Sequence, residues 1–257
     1  MPATTLWAED YRSRSSDGEV TCPRLRADAF LDMRPVIRQH KNARMDASKP
    51  LRDDGSETLV RRATFSDVSP MAAVLGRALE NDPGICWMFP RSRTRRRALP
   101  RVFAAMILRL YLPAGEVYTT DDHAAAALWL PPDNAAPAPS EVICLAVRLA
   151  VLAPLVGRAL WRAPRLSGLL NARRPRDPHY YLALLGTDPP RQGQGIGSAM
   201  LSYQLTRADA EGIPAYLESS NRRNLALYTR HGFEVTQEMR FRRNGPTTWL
   251  MWREPKR

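Results

Sequence analysis

The chain has 257 residues, 44% of them hydrophobic, which is enough to bury a sizeable core and too much for a disordered or low-complexity protein. Its formal net charge is +12, and only Lys41, Lys49 and Lys256 among the basic residues are not arginine. Such a balance suits an anionic ligand, but arginines without interleaved aromatics give no reason to expect nucleic acid. Cys22, Cys86 and Cys144 and the four histidines are scattered, with no metal-ligand spacing, so no metal is expected and a reduced, cytoplasmic setting is the plain reading.

Residues 1–56 are polar and charge-mixed, with ten Lys or Arg against nine Asp or Glu. They read as a poorly ordered arm with one possible helix over 27–40, and no apolar run there resembles a signal peptide. The domain is expected to run from 57 to 257. TLVRRAT (58–64) reads as a strand, and Ser66 and Asp67 can cap a helix reaching Leu79, with Val68, Met71, Ala72 and Leu75 on one face. Pro83, Gly84 and Pro90 then suggest a loop over 80–90. Its Trp87, Met88 and Phe89, beside Asp82, either plug the core or form one wall of a pocket.

Six arginines between 91 and 101 lead into a buried helical face marked by Leu99, Val102, Phe103, Met106, Ile107 and Leu110. Glu116–Thr120 and Ala124–Leu130 read as a hairpin turned at Asp121-Asp122. The apolar run 142–160 is broken by Arg148 and Pro154. A charge at mid-membrane is costly, so two helices of an insertion (133–178) are expected and no membrane span.

The most informative stretch follows. Tyr180–Thr187 is a short apolar strand stopped by Asp188, Pro189 and Pro190, and RQGQGIGS then opens a helix from Ser198 on which Met200, Leu201, Gln204, Leu205 and Ala208 recur. A glycine-rich turn at a helix start presents unpaired N–H groups and the positive end of the helix dipole, which is a site for phosphate. No Gly-Lys-Ser/Thr follows, so this is not a P-loop. A dinucleotide turn would need a third glycine where Ser198 stands. Glu218 lies at the acidic position of such a fold, but about 40 residues follow it, too few for the remaining strands.

Gln192, Gly195 and Gly197 do satisfy Q-x-x-G-x-G. Beyond the turn, helix 198–211 ends at Gly212, and IPAYLESS (213–220) is a strand whose short crossover implies parallel pairing with the one at 180–187. A short helix over 221–233 stops at Gly232, and 233–241 with 247–252 form a final hairpin around Asn244-Gly245.

The turn, the Asp188-Pro189 step before it and this order of elements resemble the GNAT superfamily of acyl-CoA-dependent N-acyltransferases, over about three quarters of the chain. LESS (217–220), the Asn224 to Tyr228 spacing, HGF (231–233), the helical insertion and the TTWLMWRE tail are similar to the puromycin N-acetyltransferase group. Thr187 departs from the family's usual aliphatic residue.

The resemblance implies an α/β (α+β) fold. Its sheet is mixed and mostly antiparallel, of six to seven strands, with a central parallel pair, helices on both faces and a helical insertion before the fourth strand. It implies acetyl-CoA as co-substrate, with its pyrophosphate on Gln192, Gly193, Gln194, Gly195, Ile196, Gly197 and Ser198 and its pantetheine along Leu185, Gly186 and Thr187. Asn221 stands at the common position of a CoA-contacting asparagine and Asn224 at the puromycin group's; either can instead cap a helix.

Tyr228 stands where the family places the residue facing the sulfur, and a phenol is protonated at neutral pH and can donate to a leaving thiolate. Glu218 can take the proton of an ammonium, or serve structurally beside an arginine. The implied activity is direct acetyl transfer to a primary amine of a small molecule, by a monomer or homodimer. The competing possibilities are a non-catalytic acyl-CoA-binding module of the same fold and a nucleotide binder.

Overall fold

The computed structural model describes residues 59–132, 157, 159–241 and 245–256. The expected arm over 1–56, the break near Pro154 and the Asn244 turn lie outside them. Among the described residues seven strands form one sheet: β1 (Val60–Arg62), β2 (Val117–Thr120), β3 (Ala125–Leu130), β4 (Tyr180–Thr187), β5 (Ala215–Ser219), β6 (Glu234–Arg240) and β7 (Thr247–Arg253). Their spatial order is β1-β2-β3-β4-β5-β7-β6, and the only parallel neighbours are β4 and β5. This is the mixed, mostly antiparallel sheet expected, with its parallel pair at the centre.

β3 shows why the sheet is covered on both faces. Ala126, Leu128 and Leu130 pack into one apolar cluster and Ala125, Ala127 and Trp129 into another, the two-residue period of a strand buried on both sides. The first face is covered by α1 (Val68–Ala78) and α3 (Ser92–Met106), through Met71, Leu75, Leu99 and Phe103. The second is covered by α5 (Ile196–Glu211), through Ile196, Met200, Leu201 and Leu205.

Some expectations are corrected. The stretch 80–90 is not a plain loop, because Pro83–Met88 form a helix, α2. Proline at the first helical position loses no intrahelical bond, and the Asp82 carboxylate accepts from Gly84 N and Ile85 N, so the residues read as breakers in fact start a helix. The arginine run belongs to α3 from Ser92 onward, and after it the chain makes a π turn over Ile107–Tyr111. The first strand is shorter than 58–64. Asp67 stands at the N-cap position of α1, but its side chain makes no bond to that helix; it closes the short turn Phe65–Asp67 before it, accepting from the N–H and hydroxyl of Thr64. Of the insertion, one helix is described, α4 (Ala159–Asn171). It reaches well past Leu160, where the apolar run ends. No helix among the described residues is long and apolar enough to cross a membrane.

Candidate active site

The site begins with a fork in the sheet. β4 and β5 are paired only from Tyr180–Leu182 to Ala215–Leu217. Beyond that, β4 stays with β3 up to Thr187, while Glu218 and Ser219 pair only with β7. The cause is local. Trp129 opposes Leu182 and Leu128 opposes Leu184, so Ala183 is an extra residue on β4, a bulge that bends the strand away. The bulge also resets which side chains face which side: Ala183 and Leu184 both pack toward α1 and α3, and Leu185 returns to the α5 side. Close packing fixes the bent segment, since a Cβ on Gly186 would lie 2.9 Å from Ala78 Cβ and 3.0 Å from Leu75 Cδ2. The fork opens into a cavity of about 200 Å³ lined by Leu184, Leu185, Glu218, Ser220 and Tyr228, among others.

At the end of β4 the chain enters the glycine turn. Gly193 and Gly195 both have φ of +80°, the left-handed region in which a side chain is strained. Gly195 is the N-cap of α5, so the helix starts at Ile196, two residues earlier than expected. Gly197 lies inside its first turn, where an added Cβ would make ordinary contact with Thr187 Oγ1 at 3.5 Å and Leu227 Cδ2 at 3.7 Å. Ala199 N reaches Gly195 O, but among the described residues no backbone acceptor meets the N–H groups of Gly193 to Ser198. Nothing stands within 4 Å of where side chains on Gly193 and Gly195 would begin. An open turn with up to six unpaired donors at a helix N-terminus fits a pyrophosphate. Gln192 Nε2 donates to Thr187 O at 3.0 Å and Arg191 Nε to Gln194 Oε1 at 2.9 Å, so both glutamines brace the turn with their side chains. Ser198 Oγ is bonded to the His231 ring, tying α5 to the segment after α6 (Leu225–Arg230).

Tyr228, on α6, is 7% exposed, packs edge-on against Phe233 and lines the cavity. No hydrogen bond engages its hydroxyl among the described residues. Burial, with the negative charge of Asp82 added, holds its phenol well above the usual value of 10. Asn221 and Asn224 part company. Asn221 Oδ1 caps the short turn before α6 by accepting from Arg223 N at 3.1 Å, whereas Asn224 lines the cavity.

Glu218 lies on the other side of the sheet, with Tyr181 and Tyr216. Its Oε2 accepts from the Tyr181 hydroxyl at 3.2 Å and its Oε1 from that of Tyr216 at 3.1 Å. Burial raises its pKa above the usual 4.5, opposed by the positive charge of Arg174 and by the two tyrosines. The Arg174 guanidinium lies 3.8 Å from the centre of the Tyr181 ring. The tyrosine pair around Glu218 was not foreseen, although Tyr181 and Tyr216 stand opposite each other in the parallel register. The stretch 80–90 is a cavity wall, through Asp82, Gly84, Ile85 and Met88 on α2, and α4 adds Leu166 and Leu170.

With this geometry described, comparison with known proteins shows what the chain is similar to. The sequence pattern of the acetyltransferase (GNAT) family matches residues 137–233, which include the bulged strand, the turn and α6. The fold is that of the GNAT acetyltransferases. An uncharacterized N-acetyltransferase of Schizosaccharomyces pombe is 27% identical over 207 residues, which cover 76% of this chain and 83% of that one. The crystal structure named histone acetyltransferase HPA2 and related acetyltransferase, from Corynebacterium glutamicum, superposes with a TM-score of 0.58 at 26% identity, over 77% of this chain and 96% of that one. Arylalkylamine N-acetyltransferase 2 of Aedes aegypti shares the fold alone, with a TM-score of 0.51 at 10% identity over 78% of this chain and all of that one. The family pattern and the first two of these relatives support acetyl transfer as the general activity. Among the described residues no group of His, Cys, Asp and Glu could hold a metal ion.

Proposed function

We propose that the chain moves the acetyl group of acetyl-CoA to a primary amine of a small molecule, directly, in a ternary complex. The observation that carries this is the fork: a strand pair parted by the Ala183 bulge, with unpaired donors of the glycine turn at one end and the Tyr228 hydroxyl within. A thioester held in such an opening meets the amine across the sheet. In this reading the N–H groups of residues 193–198 hold the pyrophosphate, and Leu185, Gly186 and Thr187 offer the pantetheine an edge of β4 that β5 has vacated. Asn224 is the asparagine that reaches CoA, since the side-chain oxygen of Asn221 is engaged in capping.

Tyr228 protonates the departing thiolate. Its raised pKa keeps it protonated across the neutral range, so the acid form is the one present when the thioester arrives. Glu218 gives the acceptor side a carboxylate within apolar walls, a lining that favours a cationic or hydrogen-bonding amine.

The solved relative named for histone acetylation would suggest a protein acceptor instead. A cavity of about 200 Å³ walled by Leu166, Leu170, Ile85 and Met88 favours a compact molecule. The similarity of LESS, Asn224, Tyr228 and HGF to the puromycin group makes puromycin the first candidate to try. The test is release of free thiol from acetyl-CoA with a panel of amines that includes puromycin, polyamines, arylalkylamines and a histone-tail peptide. Turnover with small amines supports the reading. Turnover with the peptide alone would refute the acceptor class. Tight CoA binding without turnover on any amine would point to a regulatory module of the same fold.

A further inference from the structure

The cavity holds a second carboxylate, Asp82, whose capping of α2 occupies only one of its oxygens. Asp82 is the N-cap of α2, and among the described residues one oxygen of its carboxylate, Oδ1, accepts every side-chain hydrogen bond: from Gly84 N at 2.9 Å, Ile85 N at 3.2 Å and Ser220 Oγ at 2.6 Å. Ser220 directly follows β5, and its hydroxyl in turn accepts from Gly84 N at 3.2 Å, so this contact fastens α2 to the open end of the fork. A Cβ on Gly84 would stand 2.9 Å from Ser220 Oγ, so the junction has no slack. Among the described residues no hydrogen bond or ion pair engages the other oxygen, Oδ2. The residue is half-buried and lines the same cavity as Tyr228.

The surrounding groups leave Asp82 as the available base. Glu218, on β5, has one tyrosine hydroxyl on each oxygen, and the positive charge of Arg174 lies near. Arg162, on α4, donates to the Trp87 carbonyl and stacks over the Trp87 ring, and Cys86, on α2, points its thiol at Glu80 O. From α6 the facing titratable group is Tyr228, and the Asp82 charge bears on it directly.

We propose that Asp82 accepts the ammonium proton of the acceptor at Oδ2, and that the acceptors are cationic amines with an apolar body. The inference rests on the acetyl-transfer reading above. The apolar body lies on Ile85 and Met88 of α2 and Leu166 and Leu170 of α4. Asp82 takes one proton from the ammonium, leaving a neutral amine whose lone pair forms the bond to the thioester carbonyl carbon. The C–S bond breaks with its electron pair on sulfur, which receives the Tyr228 proton. The new amide nitrogen gives up its second proton to the tyrosinate, and the proton on Asp82 passes to solvent. Once Asp82 is neutral, the charge that opposes ionisation of Tyr228 is gone, so accepting the first proton eases delivery of the second.

The experiment compares wild type, Asp82→Asn and Glu218→Gln at pH 7 with one accepted cationic amine and with an arylamine that is neutral at that pH, following thiol release. Asparagine keeps an oxygen for Gly84, Ile85 and Ser220, so melting temperature and CoA affinity are expected to hold. For Asp82→Asn, kcat/KM for the cationic amine is expected to fall by about 10²-fold, the scale of a lost general base, while the arylamine, which brings no ammonium proton, changes far less. The KM for acetyl-CoA is expected to stay, and Glu218→Gln to affect the two amines alike. An unchanged kcat/KM for the cationic amine in Asp82→Asn, an equal loss with the arylamine, or a loss confined to the cationic amine in Glu218→Gln each overturns the assignment. Absence of thiol release by the wild type with every amine instead removes the reading beneath it.

Discussion

Replacing Tyr228 by phenylalanine separates chemistry from packing. The ring is 7% exposed and rests against Phe233 at 6.2 Å between centroids, contacts that phenylalanine keeps. The hydroxyl has no hydrogen-bond partner among the described residues, so its removal orphans no buried group and stability is expected to change by less than ~0.5 kcal/mol. In a domain of this size that moves Tm by no more than about 2 °C. If the hydroxyl protonates the thiolate, its contribution appears only as the C–S bond breaks, which lowers kcat and spares ground-state binding. A lost general acid of this kind is worth about 10²-fold, or ~2.7 kcal/mol of barrier, and a water entering the fork would reduce the loss toward ~10-fold. The assay is thiol release at saturating amine, with acetyl-CoA varied. Wild-type kcat in Tyr228→Phe, under conditions where chemistry limits the rate, would refute the role. A rise in the KM for acetyl-CoA alone would make Tyr228 a binding group. Because its pKa is raised above 10, no loss of wild-type rate from its ionisation is expected between pH 7 and about 9.

Gly195→Val places a branched side chain at a φ of +80°, and calorimetry with CoA is expected to show binding weakened by at least ~10-fold; unchanged affinity would put the pyrophosphate elsewhere. Gly186→Val drives a side chain into Ala78 and Leu75, and chemical denaturation is expected to show ~1–3 kcal/mol of lost stability, as overpacking does. Asp209→Ala strips the bidentate partner, held at 2.7 Å on both arms, from Arg253, which is 3% exposed, and is expected to cost ~3–5 kcal/mol by the same measurement. The pKa of Asp209 is lowered: burial pushes it up, but Arg253 and Lys256 N outweigh that. Arg61 first, then Thr64 and His123, lower that of Asp67 against burial. Both contributions are therefore complete above the ordinary aspartate value of 3.8 and are lost as pH falls below it, so Tm is expected to drop steeply under about pH 4.

What the sequence disclosed follows from how local each feature is. The helix at 196–211, its glycine turn and the paired strands on either side leave their marks in adjacent residues. The β4–β5 pairing could be inferred because a short crossover has one favoured hand. The bulge at Ala183 carries no glycine or proline to announce it, so the fork left no local mark in the sequence. α2 was misread because Pro83 and Gly84 break a helix in its interior and begin one at its N-terminus, and only the capping Asp82 tells the two apart. The company of Glu218 was hidden for a different reason: Tyr181 and Tyr216 are 35 positions apart and meet only through the register of the sheet.

The glycine turn has a consequence for how the protein can change over evolutionary time. Its donors are main-chain groups, so substitutions other than proline leave their number unchanged, and the backbone shape of Gly193 and Gly195 sets their direction. The opposite wall draws Asp82 and Met88, Leu166, Glu218 and Thr248 from four separate segments, each residue a single codon away from a different size or charge. A lineage can thus redraw what it acetylates while its donor grip stays constant, and drift is expected to concentrate on one bank of the fork.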